Sequence, residues 1–457
     1  MKITVLNGSP KGELSITVQY IKFIQKSFPE HEFDIINISQ RIKKIENNKD
    51  YFKEIIENIN SSNAIIWAFP LYVFLVASQY KRFIELITER NTEHAFKDKY
   101  TCVITTSINF YDHTAHNYMH AVCDDLNMKY LGFYSAEMRD LLDEDKRKNL
   151  TTFSKNFFED IKSNVSTSKS YTPITPQNFD YVPSINHMKR DKNGKKLVII
   201  SDSNNNNSNL SLMVEKFKNS FKGGIESYNL NDIDMKGGCL GCLECSYNNI
   251  CVYQGKDGFV DFYNELKDFD IIIFAGSLKD RYLSSKWKQF FDRGFFYNHI
   301  PIFKNKQIGF IISGTLNQNR NLNEILEGYC EWQHANLVNF VTDEIGDSDV
   351  IDKQIQNLAR QMLRAAESDY IRPPTFLGVG GAKIFRDAIY GKMRFPFQSD
   401  HKYYKANGLY NFPYKNTKTR IQNLTLTLLT KIPRIRREIY NKRMKKEMIK
   451  PFEDLLL

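Results

Sequence analysis

The chain has 457 residues, 42% hydrophobic and 25% charged, a balance that excludes low-complexity disorder and leaves room for roughly two to four domains. Seven cysteines are too few for a disulfide scaffold, so the thiols are expected to be reduced and the protein cytoplasmic. The 63 Lys and Arg outnumber the 53 Asp and Glu by ten, the opening MKITVLNGSP lacks a signal peptide's apolar stretch, and the longest apolar run, 64–77, falls short of the ~20 residues of a membrane span.

Residues 2–7, KITVLN, read as a β-strand running into Gly8-Ser9-Pro10, and 16–27 as an amphipathic helix. Residues 33–39, 64–69, 102–107 and 130–135 read as four more strands. Near-continuous apolar strands separated by helical stretches predict a parallel sheet covered on both faces, a doubly wound α/β domain over 1–163. The segment 164–192, rich in Ser, Thr, Asn and Pro, reads as a linker. Residues 193–369 then repeat the pattern, with strands at 196–201, 225–230, 270–276, 308–314 and 337–342.

The two halves hold one register. Lys81-Arg82-Phe83-Ile84-Glu85 matches Lys288-Gln289-Phe290-Phe291-Asp292 at an offset of 207, and so do Cys123 with Cys330 and Phe133 with Phe340. A tandem duplication is the expected origin. At the first strands the offset is 194, from Ile3 to Leu197, so the second half has gained about thirteen residues before its third strand. The segment Cys239 to Cys251 has that length.

Three loops of the first half converge at one sheet edge, the expected place for a ligand in such a fold. The loop after the first strand offers Ser9, Lys11, Ser15, Ile16 and Thr17 at a helix start, where backbone amides can hold a phosphate. It lacks the full P-loop spacing, which argues against a nucleoside triphosphate. The loop after the third strand, with Pro70, Leu71 and Tyr72, is apolar and suits a flat ring; Thr106 and Ser107 end the fourth strand beside it. The second half offers Ser203, Ser208, Asn209, Ser277, Leu278 and Gly314 at matching places, but Lys279, Asp280 and Arg281 follow its third strand, so this pocket ranks lower.

Cys239, Cys242, Cys245 and Cys251 are spaced C-x2-C-x2-C-x5-C. Four thiols this close can wrap an iron–sulfur centre; bare thiols and zinc are the alternatives. Cys102, Cys123 and Cys330 read as core. His113, His116 and His120 lie on one helix face, with a solvated or capping role expected over a metal site, and GVGGAK at 378–383 reads as a turn before a helix.

The opening GSPK, the Pro-Leu-Tyr loop and the YKRFIE and WKQFFD helices resemble the flavodoxin-like NADPH-dependent FMN reductases, and the cysteine spacing resembles the iron–sulfur flavoproteins of that superfamily. The resemblance covers about 1–160 and 193–365. It implies two tandem flavodoxin-like five-stranded parallel sheets, FMN in the three loops with its phosphate near Ser9, Ser15 and Thr17, a [4Fe-4S] cluster on the four cysteines, and NAD(P)H as co-substrate. Ile16 stands where the family usually has Asn. In dimers of the family one subunit's cluster lies near the other's flavin, so the chain is expected to fuse such a pair: the first half keeps the flavin and the second lends the cluster. Electrons would then pass from reduced flavin through the cluster to an acceptor such as a small electron-carrier protein. The alternatives are a plain electron carrier and a non-catalytic binding protein.

The extension 370–457 is aromatic and basic, and 415–450 alone carries twelve Lys and Arg against Glu438 and Glu447. With an apolar stripe at Leu424, Leu428, Ile432, Ile435, Ile439 and Met448 it could lie on an anionic membrane or meet an acidic partner; a helix docked on the body is slightly preferred. No nucleic-acid-reading module is recognisable.

Overall fold

β1 (Lys2–Asn7) is apolar or Thr through its middle and lies buried inside a five-stranded sheet, one place from its edge, as the near-continuous apolar pattern predicts. In chain order there follow α1 (Ile16–Ser27), β2 (Glu32–Asn37), α2 (Ile42–Asn47), α3 (Lys49–Ser61), β3 (Ala64–Pro70), α4 (Ser78–Glu89), β4 (Tyr100–Ser107), α5 (Asp112–Asp125), β5 (Lys129–Glu137) and α6 (Glu144–Lys162). The strands are all parallel in the order β2-β1-β3-β4-β5. This is a doubly wound sheet whose order reverses between β1 and β3, which fixes where its ligand crevice must lie. The structure, a computed structural model, describes residues 1–176, 178–185, 189–412 and 416–456.

The second sheet is built from β6 (Leu197–Ser201), α7 (Asn209–Lys218), β7 (Glu226–Asn229), α8 (Cys245–Asn248), α9 (Phe259–Glu265), β8 (Ile271–Lys279), β9 (Tyr282–Leu283), α10 (Ser285–Gly294), β10 (Gln307–Ser313), α11 (Arg320–Trp332), β11 (Asn336–Thr342) and α12 (Ser348–Glu367). Its parallel order β11-β10-β8-β6-β7 is that of the first sheet read from the other end. The expected strands stand within a few residues of their places. β8 differs most: it runs on to Lys279 and returns antiparallel as β9, because Asp280 takes a left-handed φ of 55° and closes a hairpin.

Residues 1–401 form one compact unit and 402–457 another. In the first, part of the segment read as a linker is a strap. Tyr181 is buried in the core of the second half, its hydroxyl bonded to Asp352, and Asn209 bonds the Phe179 carbonyl and the Tyr181 amide. α13 (Phe376–Tyr390) swallows the GVGGAK stretch expected as a turn. The glycines are there for close packing: a Cβ on Gly378 would strike Glu331, and one on Gly381 would strike the Phe110 ring.

α4 and α10 pack against each other and join the two halves. Their contacts are reciprocal at the 207 offset. Ser78 N–H donates to Asp292 (2.7 Å) and Ser285 N–H to Glu85 (2.6 Å). Lys81 Nζ donates to the Lys279 carbonyl (3.1 Å) and Lys288 Nζ to the Tyr72 carbonyl (3.0 Å). Lys81 pairs with Glu85, and Lys288 with Asp292, all four carrying almost no exposed side-chain surface. Isologous contacts of this kind are the signature of a twofold interface.

The second unit contains the end of α14 (Gln398–Ala406), α15 (Thr417–Leu429), α16 (Pro433–Arg437), a π-helical turn at Glu438–Arg443 and α17 (Met444–Leu456). Lys415 lies outside the described residues. No helix among the described residues is long and apolar enough to cross a membrane.

Candidate functional site

The loop after β1 is fixed by Asn7. Its amide Nδ2 donates to the Gly12 carbonyl and to Asn37, and its Oδ1 accepts from Ser9 N–H (3.0 Å). Ser9, Ser15 and Thr17 are all buried, and Lys11 N–H donates to Ser9 Oγ. Gly8 has no room for a side chain, since a Cβ would meet Phe69 and Tyr80 at under 3 Å. Ser15 is the N-cap of α1, yet its side chain takes no hydrogen bond from the helix amides. A serine at that position ordinarily satisfies one of them. Here the hydroxyl and the first-turn amides are left to meet an anion together, a donor set that fits a phosphate.

The other two loops meet this one. Thr17 Oγ1 and Thr106 Oγ1 are 2.7 Å apart, Leu71 N–H donates to the Thr106 carbonyl (3.2 Å), and Pro70 is the register partner of Thr106. Ser107 Oγ accepts from Asn109 N–H (2.8 Å), turning the chain away from the sheet edge. Pro70, Leu71 and Tyr72 are half-buried, while Lys11 and Ile16 stand exposed at the rim. Tyr72 and Leu75 exchange both backbone hydrogen bonds around Val73 and Phe74, which have φ of 32° and 66°. Positive φ at a β-branched valine is strained and needs support from its surroundings. Phe74 supplies it, buried against Phe110, Tyr111 and, from the second half, Trp332.

The cysteine segment lies on this first-half loop. Gln79 Nε2 donates to the Cys239 carbonyl (3.0 Å). Gly241, with φ of +64°, sits so close to Tyr72 that a Cβ would collide with its hydroxyl and crowd Lys11. Gly238 is equally tight against Ser78 and Gln79. Burial pushes the Cys239 thiol up to about 12, with Asp292, Cys242 and Cys251 adding to the shift. Burial does the same to Cys245, followed by Cys239, Cys251 and Cys242. Among the described residues, however, no three His, Cys, Asp or Glu side chains are placed to hold a metal ion.

Sequence reasoning missed the residues that hold this segment. Arg293 forks onto Asp257 (2.8 and 2.9 Å), donates to the Gly237 carbonyl and lies over the Tyr253 ring. Asn298 donates to the Cys245 carbonyl (3.0 Å) and faces its Sγ at 3.6 Å. Ser399 bonds Asn298 and the Ser246 carbonyl, and Asp400 bonds His299 at 2.6 Å. The repeated Lys81–Glu85 and Lys288–Asp292 spacing was visible as a signal, since charges four apart on otherwise apolar helix faces need buried partners.

In the second half the matching positions are occupied by one another. Ser208 caps α7 by accepting from Ser211 N–H, and the Ser203, Ser208 and Ser211 hydroxyls bond among themselves. Asn209 is held by Asp343, which also accepts from Ser313 and from Gly314 N–H. Leu278 packs against Gly314 and Ser277 pairs in register with Ser313. Asp202 stands where the first half has Gly8, bonded to Ser284 (2.5 Å), its carboxyl raised by burial.

The histidines of α5 are spoken for separately. His113 meets Glu324, His116 is buried with Nε2 at 2.8 Å from Thr105 Oγ1 and its ring on Phe133, and His120 stacks on Tyr130. His116 is thus a core residue, not a solvated one. Cys102, Cys123 and Cys330 are buried as expected. α15 and α16 bury none of their residues.

Residues 1–138 match the family model of the NADPH-dependent FMN reductases. The matched stretch spans the first sheet and all three of its loops and supports an oxidoreductase. No curated protein matches. Among solved structures the chain is similar to the flavoenzyme NAD(P)H:(acceptor) oxidoreductase FerB of Paracoccus denitrificans, at 18% identity over 35% of this chain and 97% of that one, TM-score 0.30. An NADH:FMN oxidoreductase in its apo form gives 14% identity over 37% and 92%, TM-score 0.30. An FMN-dependent NADH-azoreductase of Bacillus anthracis, in complex with FMN, gives 16% over 36% and 99%, TM-score 0.26.

Proposed function

We propose that the chain is a fused pair of flavodoxin-like modules acting as an NAD(P)H:FMN oxidoreductase, with one flavin in the first half and the cysteine segment of the second half set against it. The observation that carries this reading is the seat of the cysteine segment: Gly241 against the Tyr72 hydroxyl and Cys239 on Gln79, both contacts crossing from one half to the other. The reciprocal Lys81 and Lys288 bonds support descent from a symmetric dimer by duplication.

Bound FMN would supply hydride acceptance and release of electrons. The protein's own part is to hold and shield. Ser9, Ser15, Thr17 and the α1 amides bind the phosphate; Pro70, Leu71 and Tyr72 bound the ring, with Thr106 and Ser107 as the third wall. Gly241 leaves the Tyr72 hydroxyl covered, so water is kept from that edge. No side chain need act as acid or base. In the second half the bonded serines and Leu278 leave the equivalent place closed to a second flavin.

Cys239, Cys242, Cys245 and Cys251 would hold a [4Fe-4S] cluster. The C-x2-C-x2-C-x5-C spacing is what supports this reading. In a second reading the thiols stay bare, which agrees with the lack, among the described residues, of three such side chains placed to hold a metal ion. Both readings are tested by moles of FMN, iron and zinc per chain in anaerobically purified protein. One FMN with about four iron supports the cluster, one FMN without metal supports bare thiols, and no FMN overturns the function. The acceptor beyond the cysteines is proposed only as a small electron carrier, and the compartment as the cytoplasm.

A further inference from the structure

Within the second unit the apolar residues of α15 and of α17 lie exposed. In α15, Ile421, Leu424 and Leu428 recur at helical spacing on one face, 61%, 61% and 52% exposed. In α17, Met448, Phe452 and Leu455 do the same, at 67%, 65% and 83%. Over 416–456 eleven Lys and Arg stand against four acidic residues. The bend where α15 meets α16 encloses a cleft of about 460 Å³ walled by Thr430, Lys431, Arg436, Arg437 and Tyr440, cations and hydroxyls in the mix that suits a phosphate ester.

We infer that 416–456 is a surface anchor that lies on an anionic phospholipid bilayer, its Leu, Ile and Phe stripe entering the acyl boundary and its basic cleft meeting headgroup phosphates. Charge sign and an uncovered aliphatic stripe in one segment are the two requirements of an interfacial helix. A nucleic acid would have no use for the stripe. The segment bends once, before Pro433, and presents two helical stretches, α15 and 433–456, each with its own apolar stripe, an arrangement that a membrane plane accommodates. The inference does not depend on the redox reading.

The test is co-sedimentation of the full chain with vesicles of phosphatidylcholine alone and with 30% phosphatidylglycerol, in low and high salt. Binding is expected only to the anionic vesicles and should fall as salt rises. Each neutralised cation should weaken partition roughly fivefold, so Arg436→Gln with Arg437→Gln should lose at least tenfold. Leu424→Asp with Leu428→Asp should lose as much or more. All four side chains lie in helices that bury none of their residues, so thermal unfolding should be unchanged in either variant. No binding to anionic vesicles, or equal binding to neutral ones, overturns the inference. So does binding that needs the arginines but ignores the leucines, which would mark a polyanion such as an acidic protein or a nucleic acid as the partner.

Discussion

Lys288 Nζ, fully buried, donates to the main-chain carbonyl of Tyr72 across the junction of the two halves, and Lys81 makes the matching bond to Lys279. The two bonds are geometric equals with unequal consequences, because Tyr72 belongs to the proposed flavin loop and Lys279 to the loop that Leu278 has filled. The second half thus holds a wall of the first half's site.

Lys288→Met should therefore weaken FMN binding at least tenfold, with Lys288→Arg restoring much of it. Lys81→Met should leave FMN affinity unchanged. Lys288→Met strands the buried Asp292 and should destabilise the chain by about 3–5 kcal/mol, whereas Lys81→Met should cost less because Glu85 keeps Arg82 and Ser285. Fluorescence titration with FMN, alongside denaturant unfolding, separates the two effects. Equal loss of FMN affinity in both methionine variants would refute the asymmetry.

The serines at the two helix starts invite a crossed comparison. Ser15→Ala should cost little stability, since that hydroxyl caps nothing, and should weaken FMN binding about tenfold through a lost charge-assisted bond. Ser208→Ala should cost about 1 kcal/mol of stability as a lost cap and leave FMN binding alone. The opposite pattern would move the flavin to the second half.

Gly241→Ala should be severe, because it places a Cβ into the Tyr72 hydroxyl and puts alanine at a left-handed φ. Adding Tyr72→Phe removes the colliding oxygen. The double variant should recover most of the loss, leaving about 1 kcal/mol of backbone strain. Purely additive losses in urea unfolding would show that the two residues do not touch.

Burial lowers the His116 imidazole to about 4, with Asp112 opposing the shift, against about 6.5 in an unfolded chain. The folded form is thus neutral at pH 7, and the unfolded chain takes up a proton first as pH falls. Stability from this group is complete above about pH 6.5 and is lost down to about pH 4, at up to 1.4 kcal/mol per pH unit. His116→Gln should flatten that part of the stability profile measured by denaturation between pH 4 and 7.

The residue order alone determined the two parallel sheets, because strands buried on both faces must be apolar over most of their length, as β3, β8 and β10 are, with Thr and Ser the main polar residues that β4 admits. It also determined the shared register, since Lys81 and Lys288 keep their places in it, and it marked Ser9, Pro70 and Thr106 as loop ends at one edge. Only the tertiary structure decided that Ser15 caps nothing while Ser208 does, that the Gly-rich 378–383 is helix because glycine lets it approach Phe110 and Glu331, and that Gly241 of one half lies on Tyr72 of the other. The division has a physical cause. Strand and helix pattern is local, set by which face of each element meets water, whereas a contact across some 170 residues depends on how two finished sheets dock, and no single residue carries that information.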